Sequence, residues 1–281
     1  MRIMEGSSFP YFLGIGAMKA GSSWLHNLLK SNPELCLPHV KKEVQFFDLH
    51  FQKGQRWYTS FFHDREKKCG EVTPTYLDKP SVPGRVRDMN PDCRFLLILR
   101  DPIQRAFSAY RYKIQDRGTD ETFMAYLTNK PAAIDKGLYA KHLRNWMRIF
   151  PKEQFLVILL DDVKSDTKSV IHQIAEFLDV DEDGFRLPER DDEKNVSFVP
   201  RHHRLYVMGS KTANWLTKRN LDAPINLARS MGLHTVLSRP SGKRLPVMDS
   251  ETRKRVYPLF REDIDDLERL LERDLSIWRP V

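Results

Sequence analysis

The chain has 281 residues, 41% hydrophobic and 30% charged, with 46 Lys and Arg against 38 Asp and Glu for a formal charge of +8. This is ordinary globular composition, which excludes a collagen-like, disordered or coiled-coil chain, and the length supports a sizeable core without disulfide or metal staples. The apolar runs are far too short to span a bilayer as a helix, the N-terminus has no signal-peptide pattern, and Cys36, Cys69 and Cys93 are scattered, so a protein of the reducing cytoplasm is expected.

In chain order, Tyr11–Gly16 reads as a short apolar strand running into a glycine-bearing turn. Trp24, Leu25, Leu28 and Leu29 then share one face of a helix over 22–30, with Ser22 or Ser23 as its N-cap and Pro33 closing the unit. Trp57, Tyr58, Phe61 and Phe62 at helical spacing read as core. A buried strand over Phe95–Leu99 ends in Arg100-Asp-Pro102, and the helix after it, about 103–113, turns Ile103, Phe107 and Tyr110 inward. A helical stretch over 138–150 precedes a third strand, Phe155–Leu160. Asp161 and Asp162 follow as a strand terminus with capping duty, and a further helix runs over 167–178. Continuous apolar strands alternating with amphipathic helices predict an α/β fold with a mostly parallel sheet covered on both faces. From Pro188 to Pro246 the pattern loosens into polar and basic loops. The chain then finishes in a helix where Val256, Phe260, Ile264, Leu267 and Leu271 recur at three- and four-residue spacing. No linker divides the chain, so one domain over residues 1–281 is expected.

Two segments carry chemistry. In Gly14–Ser23 a strand, a glycine-bearing turn holding Lys19 and the hydroxyls that open a helix make an anion cradle: N–H groups, helix dipole and a full positive charge converge. The string is neither a Walker A loop nor GxGxxG, since no Gly directly precedes Lys19 and no Ser or Thr directly follows it. The bland alternative is a turn whose glycines relieve backbone strain. In the second segment, Arg100 sits at the end of a strand, the edge where open α/β sheets bind ligands, with Arg105 and then Ser108 two helical turns on. A guanidinium and a hydroxyl suit a tetrahedral anion.

Together, Lys19-Ala-Gly-Ser-Ser23 with Trp24, and Arg100-x-Pro-x-x-Arg-x-x-Ser-x-Tyr110, resemble the 5′-phosphosulfate and 3′-phosphate motifs of sulfotransferases that use 3′-phosphoadenosine 5′-phosphosulfate (PAPS). Lys42-Glu-Val-Gln-Phe-Phe-Asp48, Lys53-Gly-x-x-Trp-Tyr58, Gly70-Glu-Val-Thr-Pro-Thr-Tyr76 and Ser241-Gly-Lys-Arg-Leu-Pro246 resemble the heparan-sulfate-type branch, and the ending from Phe260 to Trp278 is similar to bacterial members. The resemblance implies a P-loop-NTPase-like sulfotransferase fold, with PAPS as donor, 3′,5′-bisphosphoadenosine as product and no required metal. It assigns Lys19 to the 5′-phosphate and bridging oxygen, with Ala20, Gly21, Ser22, Ser23 and Trp24 in the same donor-binding segment. Arg100 and Ser108 go to the 3′-phosphate, and Ser241, Gly242, Lys243 and Arg244 to a late basic loop over the nucleotide. Glu43 takes the place of the catalytic base, with Phe46 and Phe47 as neighbours able to bury it and raise its pKa, and Lys41 and Lys42 opposing that shift if close. His39 and His50 bracket Glu43 and are the alternative bases; Thr73 and Tyr76 are weaker candidates to face the acceptor.

Ser22-Ser23 stands where many relatives have Thr, and the paired cysteines that flank the late loop in several animal relatives are absent. These departures imply a bacterial-style cytoplasmic enzyme and argue against a heparan-like acceptor; a carbohydrate or other small-molecule acceptor is expected, with O- or N-sulfation and oligomeric state open. One rival reading is a P-loop kinase or NTPase, with Asp161 and Asp162 imitating a magnesium-holding strand end. Another is a nucleic-acid binder using a basic stripe from Arg201 to Arg244, a partner the expected enzyme does not have and for which no recognition element is visible.

Overall fold

The computed structural model describes residues 9–117, 119–187, 212 and 245–280. Five parallel strands, β1 (Phe12–Gly16), β2 (Leu35–Cys36), β3 (Lys68–Val72), β4 (Arg94–Leu99) and β5 (Phe155–Leu159), form one sheet in the order β2-β3-β1-β4-β5. Side chains alternate across a strand, and the sequence exploits this twice. Phe12, Leu96 and Ile98 face a core shared with Leu25, Leu28 and Leu29 of helix α1 (Ser22–Ser31). Leu13, Ile15, Phe95, Leu97 and Leu99 face the opposite, larger core, built with Ile103, Phe107 and Tyr110 of the helix that follows β4. The α/β fold expected from the apolar runs is the fold observed.

Helices α2 (Gly54–Thr59), α3 (Val82–Met89), α4 (Pro102–Arg117), α5 (Phe123–Asn129), α6 (Pro131–Asp135), α7 (Tyr139–Met147), α8 (Leu160–Ser165) and α9 (Thr167–Leu178) follow in chain order. Tyr58 and Phe62 are buried as core residues, with Trp57 and Phe61 packed against them. The helix expected at the C-terminal end is two helices, α10 (Ser250–Val256) and α11 (Arg261–Leu271), joined by a 3₁₀ turn over Tyr257–Leu259. Pro258 is the reason: without an N–H it cannot continue a helical ladder. Val256, Phe260, Ile264 and Leu267 nevertheless all reach the core, as their spacing requires. The Asp263 carboxylate accepts the Ala140 and Lys141 N–H groups, both at 3.0 Å, and so caps α7 from α11.

β1 lies between β3 and β4, with β2 beyond one and β5 beyond the other. From β1 the chain runs outward to β2, returns through β3 and crosses to β4 and β5, so the connections leave the neighbouring strands β1 and β4 in opposite directions. The loops leaving the carboxyl ends of β1, β3 and β4 open at this switch point, where an α/β sheet offers space for a ligand.

Candidate functional site

The first wall of the site is the turn from β1 to α1. Ala17 N–H bonds Ile98 O at 2.8 Å and Leu77 N–H bonds Ile15 O at 2.9 Å, fastening the turn to both neighbouring strand ends. Lys19 and Gly21 have positive φ, +69° and +110°. At Gly21 a Cβ would lie 3.1 Å from Leu160 Cδ1, so backbone conformation and space both favour glycine. Gly21, rather than Ser22 or Ser23, is the N-cap of α1. The serines instead occupy the first two helical positions, which leaves their hydroxyls for tertiary contacts. The first helical bond is Leu25 N–H to Gly21 O at 3.1 Å, so the N–H groups of Ser22, Ser23 and Trp24 precede the hydrogen-bonded ladder. No acidic side chain lies in this first turn, and the positive end of the helix dipole is uncompensated there. Ala20 is fully buried and Trp24 packs against the core beneath α1, so both shape the turn.

Lys19 Nζ stands 3.7 Å above the ring of the exposed Tyr112. Its pKa is lowered, chiefly by burial; the Glu43 carboxylate counters this and the Lys42 ammonium adds to it. Lys42 shares the cradle: its Nζ donates to Ser22 Oγ at 3.2 Å and Ser23 Oγ at 3.1 Å, and lies 3.9 Å from Glu43 Oε1. Burial lowers the Lys42 pKa as well, with Glu43 opposing. Lys42 thus faces the helix N-terminus with Glu43 beside it, and Lys19 lies near enough for both charges to act on it. Sequence reasoning placed Lys19 and Glu43 here and treated Lys42 only as a charge beside Glu43; its contact with α1 comes from tertiary folding.

Glu43 is half-buried. The expected burial by Phe46 and Phe47 does not arise, because those rings turn into the core against Tyr58 and Tyr76. Thr73 and Tyr76 are also fully buried and bond the Glu71 carboxylate, so they do not face an acceptor. Of the alternative bases, His39 is stacked on His63 at 3.4 Å with its Nδ1 2.7 Å from Phe61 O, and His50 meets Trp57 edge-on.

The second wall is the end of β4. Arg100 is half-buried; one guanidinium nitrogen reaches Lys19 O at 3.5 Å, and Tyr139 OH donates to its carbonyl at 2.9 Å. Burial lowers its pKa, and the charge of Arg111 pushes the same way. Arg111 is a further group that sequence reasoning missed. It follows Ser108 by three residues on α4, hence on the same face, and among the described residues its buried Nε has no hydrogen-bond partner. Ser108 is half-buried. Arg105, between Arg100 and Ser108 and on α4, is 1% exposed, points into the core and donates to Ala133 O. Asp101 caps α4 through Ile103 N–H at 2.8 Å and is ion-paired with Arg253 of α10, which also holds Trp278 O at 2.7 Å. The C-terminal helices are thereby tied to the residue next to Arg100. Ser241, Gly242, Lys243 and Arg244 lie outside the described residues, as does the basic stripe apart from Thr212.

Residues 11–218 match the sulfotransferase domain family. The chain is 31% identical over 186 residues to heparan sulfate glucosamine 3-O-sulfotransferase 3A1 of Homo sapiens, covering 62% of this chain and 45% of that one. It is 25% identical over 287 residues to the bifunctional heparan sulfate N-deacetylase/N-sulfotransferase 1 of Caenorhabditis elegans, covering 95% of this chain and 30% of that one. The chain spans less than half the length of either relative. The crystal structure of a sulfotransferase from Alicyclobacillus acidocaldarius has the same fold, with a TM-score of 0.69 and 24% identity over 96% of this chain and 98% of that one. A domain match that runs through both strand ends carrying the cationic groups means that this chain belongs to the sulfotransferase family.

Proposed function

We propose that the protein is a single-domain PAPS-dependent sulfotransferase that moves a sulfuryl group to a hydroxyl, or an amine, of a carbohydrate or other small acceptor. The observation that carries this reading is Lys42 bonded to the first turn of α1 with the Glu43 carboxylate beside it, and Lys19, from the turn before α1, near enough for both charges to act on it. Sulfuryl transfer needs these elements together: donors and cations for a phosphosulfate, neutralisation of a departing phosphate, and a base. In the proposed step the acceptor oxygen bonds to sulfur as the bond from sulfur to the 5′-phosphate oxygen breaks. Glu43 takes the acceptor's proton, and Lys19 and Lys42 neutralise the charge gathering on the phosphate. Arg100, Ser108 and Arg111 hold the 3′-phosphate. Arg111 stands on the Ser108 face of α4 and near enough for its charge to act on Arg100, which supports this assignment.

The rival NTPase reading loses its main support at the end of β5. Asp161 accepts the Trp278 indole N–H at 3.2 Å, while Asp162 accepts Leu159 N–H at 3.1 Å and pairs with Arg273 at 2.5 Å. These carboxylates tie down the C-terminal segment. Among the described residues no helix is long and apolar enough to cross a membrane. The cytoplasmic assignment belongs to the same proposal and is supported by three buried cysteines outside any disulfide. A screen of labelled-sulfate transfer from PAPS to glycans, lipids, phenols and peptides, beside a no-acceptor control, tests the reading. Label is expected on a glycan with the wild type and not with Glu43→Gln; equal labelling by the variant removes Glu43 as the base.

A further inference from the structure

Glu71 on β3 is fully buried; among the described residues it makes no ion pair, though the Lys41 charge acts on it. Its carboxylate is instead surrounded by hydrogen-bond donors. Oε2 accepts the Val44 N–H at 2.9 Å and the Thr73 hydroxyl, and Oε1 accepts the Tyr76 hydroxyl at 2.8 Å. The Tyr76 oxygen in turn accepts the Phe47 N–H at 3.2 Å. One carboxylate thus fixes both ends of the segment from Val44 to Phe47, the first end directly and the second through a tyrosine. Further along, Thr75 OH donates to Asp48 Oδ2 at 2.8 Å, and Arg85 donates to Phe47 O at 2.6 Å. Gln45, inside the clamped segment, has a φ of +57°, a left-handed conformation that a non-glycine residue holds only when its surroundings impose it. The clamp lies one residue from Glu43 and two from Lys42, the groups that face α1.

From this geometry we infer that Glu71 is the positioning residue of the site: it holds the base-bearing loop against the sheet so that Glu43 stands at the cradle, where Lys42 is held by its own bonds to Ser22 and Ser23. The inference rests on the reading of Glu43 as base. A carboxylate suits the task because it only accepts, and three donors here converge on two oxygens. Burial works against its ionisation, since desolvation pushes the Glu71 pKa up while the Thr73, Tyr76 and Val44 donors pull it back. Glutamine at this position keeps the shape but turns an NH₂ toward one of those donors. The loop then loses a fastening while β3 keeps its strand pairing, and the donor cradle on β1 and α1 is untouched.

Glu71→Gln, Tyr76→Phe, Glu43→Gln and the double variant Glu43→Gln/Glu71→Gln test this. Three readouts apply: 3′,5′-bisphosphoadenosine binding by calorimetry, turnover with PAPS and the acceptor that the wild type labels in the transfer screen, and hydrogen exchange. For Glu71→Gln the expected result is unchanged bisphosphoadenosine affinity, faster exchange over residues 42–48 with α1 still protected, and turnover lowered about ten- to a hundredfold, the penalty of a misplaced reacting group. The double variant is expected to turn over no more slowly than Glu43→Gln, because Glu71 acts through Glu43. Should Glu71→Gln fail to fold, Tyr76→Phe decides: it leaves Glu71 in place, cuts the arm to Phe47, and is expected to raise exchange and lower turnover in the same sense. Wild-type exchange over 42–48 in the folded variants, a parallel loss of bisphosphoadenosine affinity, or losses that add to those of Glu43→Gln each overturn the inference. Full turnover by Glu43→Gln is a distinct failure: it removes the base reading first, and the positioning role with it.

Discussion

Replacing Lys42 with methionine tests the second cation of the cradle. The side chain keeps its length and apolar stem and loses its charge, so the two hydrogen bonds to Ser22 and Ser23 vanish while packing is largely retained. Two unit charges about 4 Å apart interact by about 4 kcal/mol at an effective dielectric of 20. The Lys42 side chain is 26% exposed, so solvent screening reduces this toward the 1.5–3 kcal/mol of a charge-assisted hydrogen bond, roughly a ten- to hundredfold effect. Calorimetric titration with 3′,5′-bisphosphoadenosine and turnover with PAPS read the loss directly. His26 supplies a readout free of any ligand. Its pKa is lowered to about 4, by burial first and by the Lys42 charge second. In Lys42→Met the His26 pKa, followed by NMR, is therefore expected to rise while staying below the usual histidine value of about 6.5, because burial remains. Wild-type nucleotide affinity, turnover and His26 titration together refute the placement of Lys42 at the cradle.

Three other outcomes follow from the same geometry. Arg100→Ala is expected to lose about 1.5–3 kcal/mol of bisphosphoadenosine affinity while binding 5′-AMP nearly as before, since only the 3′-phosphate contact is removed; comparative calorimetry checks this. Gly21→Ala places a side chain at a φ of +110° against Leu160, and denaturant unfolding is expected to show a loss of about 1–3 kcal/mol. His26 makes folding pH-dependent in a stated direction. Its folded pKa of about 4 lies below its unfolded value, so the unfolded chain binds the proton first. The contribution to stability is complete above pH 6.5, declines as pH falls toward 4 and is constant below that. Between pH 7.5 and 5 the decline is about 2 kcal/mol, to be read as the difference in unfolding free energy between wild type and His26→Leu across that range.

Strands β1, β4 and β5 were legible because strands buried on both faces leave continuous apolar runs, and α9 was bounded as read, at Thr167 and Leu178. β2 has two residues, too few to form a pattern. β3 was hidden by its composition: Gly70 and Glu71 weaken a strand reading, yet both are required by tertiary contacts. A Cβ on Gly70 would come within 2.4 Å of Phe12 O, and Glu71 is satisfied by donors that come from other segments. The same division holds at the site. Lys19, Ser22, Ser23 and Arg100 stand at strand ends, where local pattern and position agree. Lys42 and Arg111 were not singled out as candidate site residues, because the contacts that bring them to the strand ends cross segments and are not encoded in spacing. The serine N-cap was misplaced because hydroxyl residues favour that position generally, whereas the left-handed turn here needs glycine.

The account depends on one pocket that grips adenosine phosphates at two strand ends. Its most direct test is calorimetric comparison of 3′,5′-bisphosphoadenosine with 5′-AMP and ATP in metal-free buffer, repeated with Mg²⁺. The bisphosphate is expected to bind about a hundredfold more tightly than 5′-AMP, equivalent to about 2.7 kcal/mol from the Arg100 end of the site, with no dependence on Mg²⁺. Equal affinities for the two adenosine phosphates, or a Mg²⁺-dependent preference for ATP, contradict it.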